Sequence, residues 1–243
     1  MNSDARHSGR ARLAVLGAAL LFSTGGAAIK GTALSGLQVA GFRSGVAALA
    51  LFLQSTAPIW VVLLSPLLLG EEVHRRDLPF VVLAALGLLL VFLGSRDPAA
   101  TAPQPALGNV VALASGLFYA LLMLTMRRLT RDGEDRQMPA VVLGNVLAFL
   151  VCLPFAFPVQ HAGATDVLAI VYLGVVQIGV AYWLFSRGLR HLRAVEVSLL
   201  ALLEPVLNPL WTWLVHDERP SALALLGGAV MLGSLAVRAV IER

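Results

Sequence analysis

Residues 195–215 read VEVSLLALLEPVLNPLWTWLV, a mostly apolar segment with Glu204 and two prolines near its middle. Its length matches the roughly 20 residues that an α-helix needs to cross the hydrocarbon core of a bilayer. Seven other apolar segments lie outward from it along the chain, which predicts an all-α, polytopic helical membrane protein with about eight transmembrane helices. The predicted segments are 13–29, 39–69, 78–93, 107–126, 139–157, 167–185, 195–215 and 222–237.

The composition agrees with this class. Hydrophobic residues make up 58% of the 243 residues and charged residues 13%, whereas soluble domains have about 45–50% and 25%. The net charge of +4 does not indicate nucleic-acid binding, because the basic residues lie between apolar segments rather than along one face. The single cysteine, Cys152, provides neither a disulfide framework nor a thiolate metal site.

The basic residues also predict the orientation. If each segment crosses once, fourteen of the 18 Lys and Arg residues fall on the side of the N-terminus and three on the other side. Cytoplasmic loops of membrane proteins carry such an excess, so both termini are expected in the cytoplasm. The expected organisation is a cytoplasmic tail (1–11), a first repeat (12–94), an outer linker (95–106) and a second repeat (107–240).

The two halves of the chain share an internal spacing. Pro58 is followed after thirteen residues by Glu71, and Pro205 is followed after thirteen residues by Glu218. Both pairs are therefore related by the same offset of 147 residues. In each half the proline lies within an apolar segment and the acid at its end. Repeats of this kind are typical of secondary transporters, whose substrate sites lie at the interface between repeats.

Short motifs around this spacing carry a family resemblance. They are Phe22-Ser23-Thr24-Gly25-Gly26 with Ile29-Lys30, Phe42-Arg43, Gln54 to Trp60 ending in Gly70-Glu71, Leu203-Glu204-Pro205-Val206 and Asp217-Glu218. In this order they resemble the two EamA-type repeats of the drug/metabolite transporter superfamily. The resemblance implies inverted repeats and alternating-access transport of small metabolites, often amino acids or related compounds, across the bacterial inner (plasma) membrane.

The first half departs from the family pattern of five helices per repeat. About 53 residues are absent between Leu13 and Pro58 when these are compared with the second half, so the family's third helix is expected to be missing. Residues 39–69 exceed one span but are too short for two spans and a turn. They are predicted to form one long helix that is tilted or kinked at Pro58.

Charged groups at membrane depth cost about 2.5–3.5 kcal/mol and therefore need an explanation. Glu204 is expected to recognise substrate or couple a proton; the alternative is a packing acid that is paired or kept protonated. Arg43 could bind a substrate carboxylate or serve as a counter-charge; the alternative is an interfacial anchor or an ion-pair partner of Glu204. Three prolines are expected to break helices at the site and expose carbonyls: Pro58, Pro205 and Pro209.

Uncharged side chains complete the candidate site. Ser23 and Thr24, followed by two glycines, are expected to loosen the first span, although ordinary close packing also explains them. The other candidates could contact substrate or bind and pack against neighbouring helices. These candidates are Trp60, Tyr119, Asn145, Gln177 and Asn208.

The predicted function is secondary transport, as an exporter of a small polar metabolite. The sequence contains no HExxH motif, phosphate-binding glycine loop or Ser/His/Asp set at membrane depth, so we expect no enzyme activity, cofactor or metal. The expected partners are a small-molecule substrate and the lipid bilayer, and homodimerisation stays an open alternative. The first rival hypothesis is a shortened relic, or a mis-assembled reading, of such a transporter that inserts without transporting. The second, with less support, is a channel or receptor-like membrane protein.

Overall fold

The fold was described from a computed structural model, which covers residues 3–30, 56–94, 105–131, 136–157, 163–217 and 219–241. These residues are helical almost throughout and include no strand, which confirms the predicted all-α class of a polytopic membrane protein. The helices are α1 (Ser3–Ser23), α2 (Gly25–Lys30), α3 (Ala57–Leu69), α4 (Leu78–Gly94), α5 (Pro105–Arg131), α6 (Gln137–Ala156), α7 (Ala164–Tyr172), a π-helical stretch (Leu173–Val180), α8 (Ala181–Leu189), α9 (Ala194–Ala201), α10 (Leu203–His216) and α11 (Ala222–Ile241).

Long apolar segments became long helices. Within the described residues, four helical stretches are long and apolar enough to cross a membrane. Shorter apolar helices occupy Ala57–Leu69 and Leu78–Val91. The four long stretches are Gln137–Pro154, Ala164–Leu189, Ala194–Val215 and Ala222–Ile241.

Two predicted spans are interrupted rather than continuous. The first is broken at Thr24, between α1 and α2, and the seventh is broken at Leu202, between α9 and α10. Helix α1 begins at Ser3, so residues 3–11 of the expected tail belong to it. Helix α3 begins at Ala57 with Pro58 in its first turn, a position where proline is tolerated. The expected kink is thus a helix start, and residues 39–55 of that predicted helix lie outside the described residues.

The repeat predicted from sequence spacing recurs in backbone geometry. Helices α3 and α10 each end at a residue in the left-handed conformation, Gly70 with φ 61° and Asp217 with φ 59°. The Gly70 N–H donates to the Pro66 carbonyl at 3.1 Å, and the Asp217 N–H donates to the Trp213 carbonyl at 2.9 Å. Both positions are related by the offset of 147, so equivalent residues end equivalent helices in the same way.

Helices α4 and α11 pack antiparallel and show that the repeats are inverted. Gly87 lies against Gly227, and Ser234 Oγ donates to the Phe80 carbonyl at 3.4 Å. A later residue of α11 thus contacts an earlier residue of α4, so the two helices run in opposite directions. At the offset of 147, Gly227 corresponds to Phe80 and Ser234 corresponds to Gly87. The two contacts are equivalents of each other, as a pseudo-two-fold axis between inverted repeats requires.

Helix α1 packs into the second repeat. Val15 lies against Gly188, and the Phe22 ring lies 6.2 Å from the Phe185 ring, so α1 and α8 are antiparallel neighbours. Phe22 and Tyr182 are also in edge contact at 5.1 Å. These side chains belong to one buried core that also includes residues of α3, α4 and α5. The first helix is thereby fixed against the part of the molecule that carries the polar candidates.

Candidate functional site

The break in the first helix is a polar point at the interface between the repeats. Helix α1 ends at Ser23, which is fully buried, and Thr24 forms the turn to α2. The Ser23 hydroxyl donates to the Leu20 carbonyl at 2.6 Å, and the Thr24 hydroxyl donates to the Leu21 carbonyl at 2.7 Å. Hydroxyl side chains commonly bond the carbonyls at the end of a helix, and here the Leu21 carbonyl also accepts from the Thr24 backbone N–H at 3.3 Å.

Three side chains of the second repeat surround this break. Gln177 Nε2 donates to the Phe22 carbonyl at 3.0 Å, and Trp211 Nε1 donates to Ser23 Oγ at 2.8 Å. The Tyr172 hydroxyl lies 2.8 Å from Thr24 Oγ1. We call this set the break cluster: Phe22, Ser23, Thr24, Tyr172, Gln177 and Trp211. It brings together three of the sequence candidates, Ser23, Thr24 and Gln177.

Gln177 lies within the π-helical stretch Leu173–Val180 and is 2% exposed. A π-helix is rare, and short π-helical stretches occur frequently at functional sites. Tyr172 is the residue that directly precedes this stretch. The wider turn therefore presents two polar groups of the same helical segment to the broken end of α1.

Glu204 is a buried residue on α10, the helix that also carries Trp211 of this cluster. Arg12 pairs with Glu196 at 2.7 Å near one end of α1, and Ser23 meets Trp211 near the other end. From the first contact to the second, the residue number increases both in α1 and in the α9–α10 segment, so α1 runs parallel to α9 and α10. Glu204 lies between these two contacts along the chain and is 4% exposed. Its carboxyl group is therefore buried along the α1 side of the bundle rather than in a loop.

Glu204, Asn208 and Trp211 share one face of α10, since residues at i, i+4 and i+7 lie above one another on a helix. Trp211 fixes which way this face points, because its indole reaches Ser23. The face thus carries a buried carboxyl, an amide and an indole toward the broken first helix. This is the polar stripe expected of a site between helices.

The prolines occupy positions different from those expected. The break falls at Leu202, Pro205 lies in the first turn of α10, and Pro209 lies within that helix without ending it. Both prolines line an apolar cleft of about 180 Å³ between α4, α10 and α11, together with Val91 and Ala224. Pro58 likewise lies in the first turn of α3.

The remaining candidates lie elsewhere. Trp60 on α3 and Tyr119 on α5 are half-buried and pack against the common core. Asn145 donates to the carbonyl of Val141 in its own helix at 2.9 Å. Arg43 lies outside the described residues.

A comparison with protein families identifies the family. A family model described as the EamA-like transporter family matches residues 106–239, more than half of the chain. The chain belongs to the EamA-like transporter family. It is accordingly a member of the drug/metabolite transporter superfamily, as its motifs predicted, and a multi-pass membrane protein. The family indicates a transporter rather than an enzyme, with a small-molecule substrate and a lipid environment.

Relatives of this EamA-like chain are named as transporters. It is 28% identical to an uncharacterized transporter of Archaeoglobus fulgidus, over 82% of this chain and 69% of that protein. It is 24% identical to an aromatic amino acid exporter of Ancylobacter novellus, over 76% of this chain and 64% of that protein. It is 26% identical to a pseudopaline exporter of Pseudomonas aeruginosa, over 72% of this chain and 60% of that protein. The chain thus spans roughly 60–69% of the length of these relatives.

A solved structure described as "Crystal structure of protein" shares the fold of the EamA-like chain. Its TM-score is 0.67 at 19% identity, and the match covers 98% of this chain and 97% of that one. At this identity the match supports the arrangement of helices, and it carries no information on substrate.

Sequence reasoning missed two members of the break cluster. Neither Trp211 nor Tyr172 is among the candidates named from the sequence. Spacing held a usable signal for Trp211, since it lies seven residues after Glu204 and three after Asn208. No local signal points to Tyr172, whose partner Thr24 is 148 residues away in the sequence.

Sequence reasoning also missed a group of buried ion pairs at the other end of the bundle. The charges there were assigned to loops, yet Asp77 and Arg238 are 3% and 4% exposed. Glu71 lies 2.8 Å from Arg127, and Asp77 lies 3.0 Å from both Arg193 and Arg238. We call these five residues the basic-end network.

Proposed function

We propose that this chain is a secondary transporter that exports small polar metabolites, such as amino acids or related compounds, by alternating access. The observation that carries the proposal is the break cluster beside Glu204. Here a broken helix of one repeat meets polar side chains of the other repeat at membrane depth. Transporters built from inverted repeats bind substrate at such interfaces, where discontinuous helices expose backbone groups.

In this proposal Glu204 recognises the substrate or carries the coupling proton. A buried carboxylate attracts an ammonium group, and a protonated carboxyl can release its proton to a substrate or to water. Asn208 and the break cluster supply neutral hydrogen-bonding groups around it. Arg43 is proposed as the counter-charge, and Pro205 and Pro209 as positions where α10 lacks backbone donors.

The names of the relatives support this substrate class. An aromatic amino acid exporter and a pseudopaline exporter are both similar to this chain. The excess of Lys and Arg on one side supports a topology with both termini in the cytoplasm. The short first repeat, and the partial coverage of the relatives, favour one rival: a chain that inserts into the membrane and does not transport.

Counterflow with the purified full chain in liposomes tests the proposal. Liposomes loaded with an unlabelled amino acid mixture should accumulate labelled amino acids above the level of empty liposomes. Glu204→Gln keeps the shape of the side chain and removes its charge, so uptake should fall by about tenfold or more, as for the loss of a specific charged contact. Glu72→Gln, at an exposed acid, is the matched control and should leave uptake unchanged.

Two results would count against the proposal. Absence of uptake by the unmodified chain for every compound in the mixture would favour the transport-incompetent rival. Equal uptake by Glu204→Gln and the unmodified chain would remove Glu204 from the site. Proton coupling is tested separately by imposing a pH gradient, which should change the rate in the unmodified chain and leave Glu204→Gln indifferent.

A further inference from the structure

Buried charges join the two repeats at one end of the bundle. Asp77, just before α4, lies 3.0 Å from Arg238 near the end of α11 and 3.0 Å from Arg193, just before α9. Asp77 and Arg238 are almost fully buried, with 3% and 4% exposure. His74 Nδ1 lies 3.0 Å from the same Arg193 guanidinium. One carboxylate of the first repeat therefore holds two arginines of the second.

Glu71 adds a second connection at the same end. Arg127 Nε donates to Glu71 Oε1 at 2.8 Å, and the backbone N–H of Ala194 donates to Glu71 Oε2 at 3.1 Å. Arg127 also donates to the carbonyl of Leu189 at 2.6 Å. Leu189 ends α8 and Ala194 begins α9, so Glu71 and Arg127 together fix both ends of that connection.

Among the residues that the structure describes, the Asp77–Arg238 ion pair of this network has no equivalent at the opposite end of the α4–α11 pair. At the offset of 147, Asp77 corresponds to Ala224, and Arg238 corresponds to Val91. Val91 and Ala224 both line the apolar cleft between α4, α10 and α11. The same pair of positions is thus an ion pair at one end and two apolar side chains beside an open cleft at the other.

This difference matters for alternating access. Two inverted repeats with identical contacts would make the two end-closed conformations equal in energy. Opening the end that holds the network requires Asp77, Arg193 and Arg238 to separate and to be rehydrated, because leaving a buried charge without its partner is costly. At the opposite end, the described positions equivalent to Asp77 and Arg238 are Ala224 and Val91, which carry no charge to rehydrate. The difference biases the equilibrium toward closure of the end with the buried charges.

We propose that Glu71 and Asp77 form an inter-repeat latch that closes this end and must open once in each transport cycle. The proposal rests on the transport function proposed above. The positive charges at this end predict that it faces the cytoplasm. The latch would then hold the substrate site closed to the cytoplasm, and it would have to open before an exported substrate could enter from that side.

Accessibility of an engineered thiol tests the latch without any substrate. Ser198→Cys places the reporter on α9, one turn beyond Ala194, at a position that is 1% exposed. Ala27→Cys on α2 reports on the other end of the bundle. Both are made with Cys152→Ser as background and studied in nanodiscs, where both faces meet a charged methanethiosulfonate reagent. No assumption about orientation is needed.

Two variants release the latch. The double variant Asp77→Asn/Arg238→Gln removes both buried charges together, and Glu71→Gln removes the partner of Arg127. Each should raise the modification rate at the Ser198→Cys position by about tenfold. This corresponds to a decrease of about 1.4 kcal/mol in the free energy that favours the closed conformation of this end. The rate at the Ala27→Cys position should not rise. Glu72→Gln should change neither rate.

Two outcomes would overturn the latch. Unchanged modification of Ser198→Cys in both variants would show that these ion pairs do not control the closed end. Equal increases at both reporters would show general loosening of the fold rather than opening of one end. The modification rates do not depend on transport, so a failure of the counterflow experiment leaves this test intact.

Discussion

A close approach between helices of the two repeats gives a quantitative prediction at Gly227. A Cβ added there would lie 2.7 Å from the backbone N of Val91 and 2.8 Å from its Cγ2, and it would also meet the carbonyl of Gly87. Ordinary contact begins at 3.4 Å, so the α4 and α11 backbones would have to separate by about 1 Å to clear the Gly87 carbonyl. A gap of this size forfeits a quarter to a half of the dispersion energy between the atoms concerned.

Gly227→Ala should therefore lower the free energy of unfolding by overpacking, at a cost of about 1–3 kcal/mol. The same change also replaces a helical glycine by alanine, and this replacement by itself stabilises a helix by about 1 kcal/mol. Gly233→Ala on the same helix separates the two effects, because nothing lies within 4 Å of its added Cβ. The helix-propensity gain is common to both variants, so Gly227→Ala should be about 1–3 kcal/mol less stable than Gly233→Ala.

The assay is unfolding of the purified chain in mixed micelles of mild detergent and sodium dodecyl sulfate. Helicity by circular dichroism and tryptophan fluorescence should give coincident transitions, which is the test that a single free energy applies. Equal stability of the two variants would refute the reasoning. It would mean that α4 and α11 do not approach through Gly87 and Gly227, and the antiparallel contact that supports inverted repeats would be lost.

Two further predictions concern buried polar contacts and use the same unfolding assay. Gln177→Leu should lower the free energy of unfolding by about 1–3 kcal/mol, because the Phe22 carbonyl loses its buried donor; an unchanged midpoint would show that water replaces the amide. Asp77→Asn should cost about 3–5 kcal/mol because it leaves Arg238 buried without a carboxylate, whereas Asp77→Asn/Arg238→Gln should cost less. Additive losses in the double variant would contradict direct pairing of the two charges.

The helical spans were predictable because they depend on local composition. Apolar runs of about 20 residues gave helices at the expected places, and Ala222–Ile241 begins at the residue where its predicted span begins. The offset of 147 was also readable, since Pro58, Glu71 and their counterparts lie at fixed distances along the chain. The structure confirmed this register independently through the matching ends of α3 and α10.

The position of helix breaks was only partly predictable. The Ser23–Gly26 stretch carried a local signal, because hydroxyl side chains and glycines weaken a helix, and the break occurs at Thr24. In the seventh span the prolines suggested a break among them, but the helix restarts at Leu203 and accommodates Pro205 in its first turn. Backbone N–H groups in the first turn of a helix have no acceptor within that helix. Proline, which has no N–H group, therefore costs little at this position.

The partners at the site depended on tertiary structure. Gln177 was a candidate by residue type and depth, yet its contact with Phe22 spans 155 residues. Charges before and after helices were interpreted as loop charges, while Asp77 is buried between arginines 116 and 161 positions away. A charge in a short polar stretch has the same local sequence whether it faces water or another repeat.

The sequence by itself determined that this protein is a helical membrane protein, where most of its spans lie and that its halves repeat. Each of these features follows from hydrophobicity and residue spacing over tens of residues, and none of them depends on contacts between helices. Only the tertiary structure decided that α4 and α11 pack antiparallel through Gly87 and Gly227, that the broken first helix meets Gln177 and Trp211, and that buried charges of the two repeats pair at one end of the bundle. Those features depend on how helices distant in sequence are placed, and packing determines that placement.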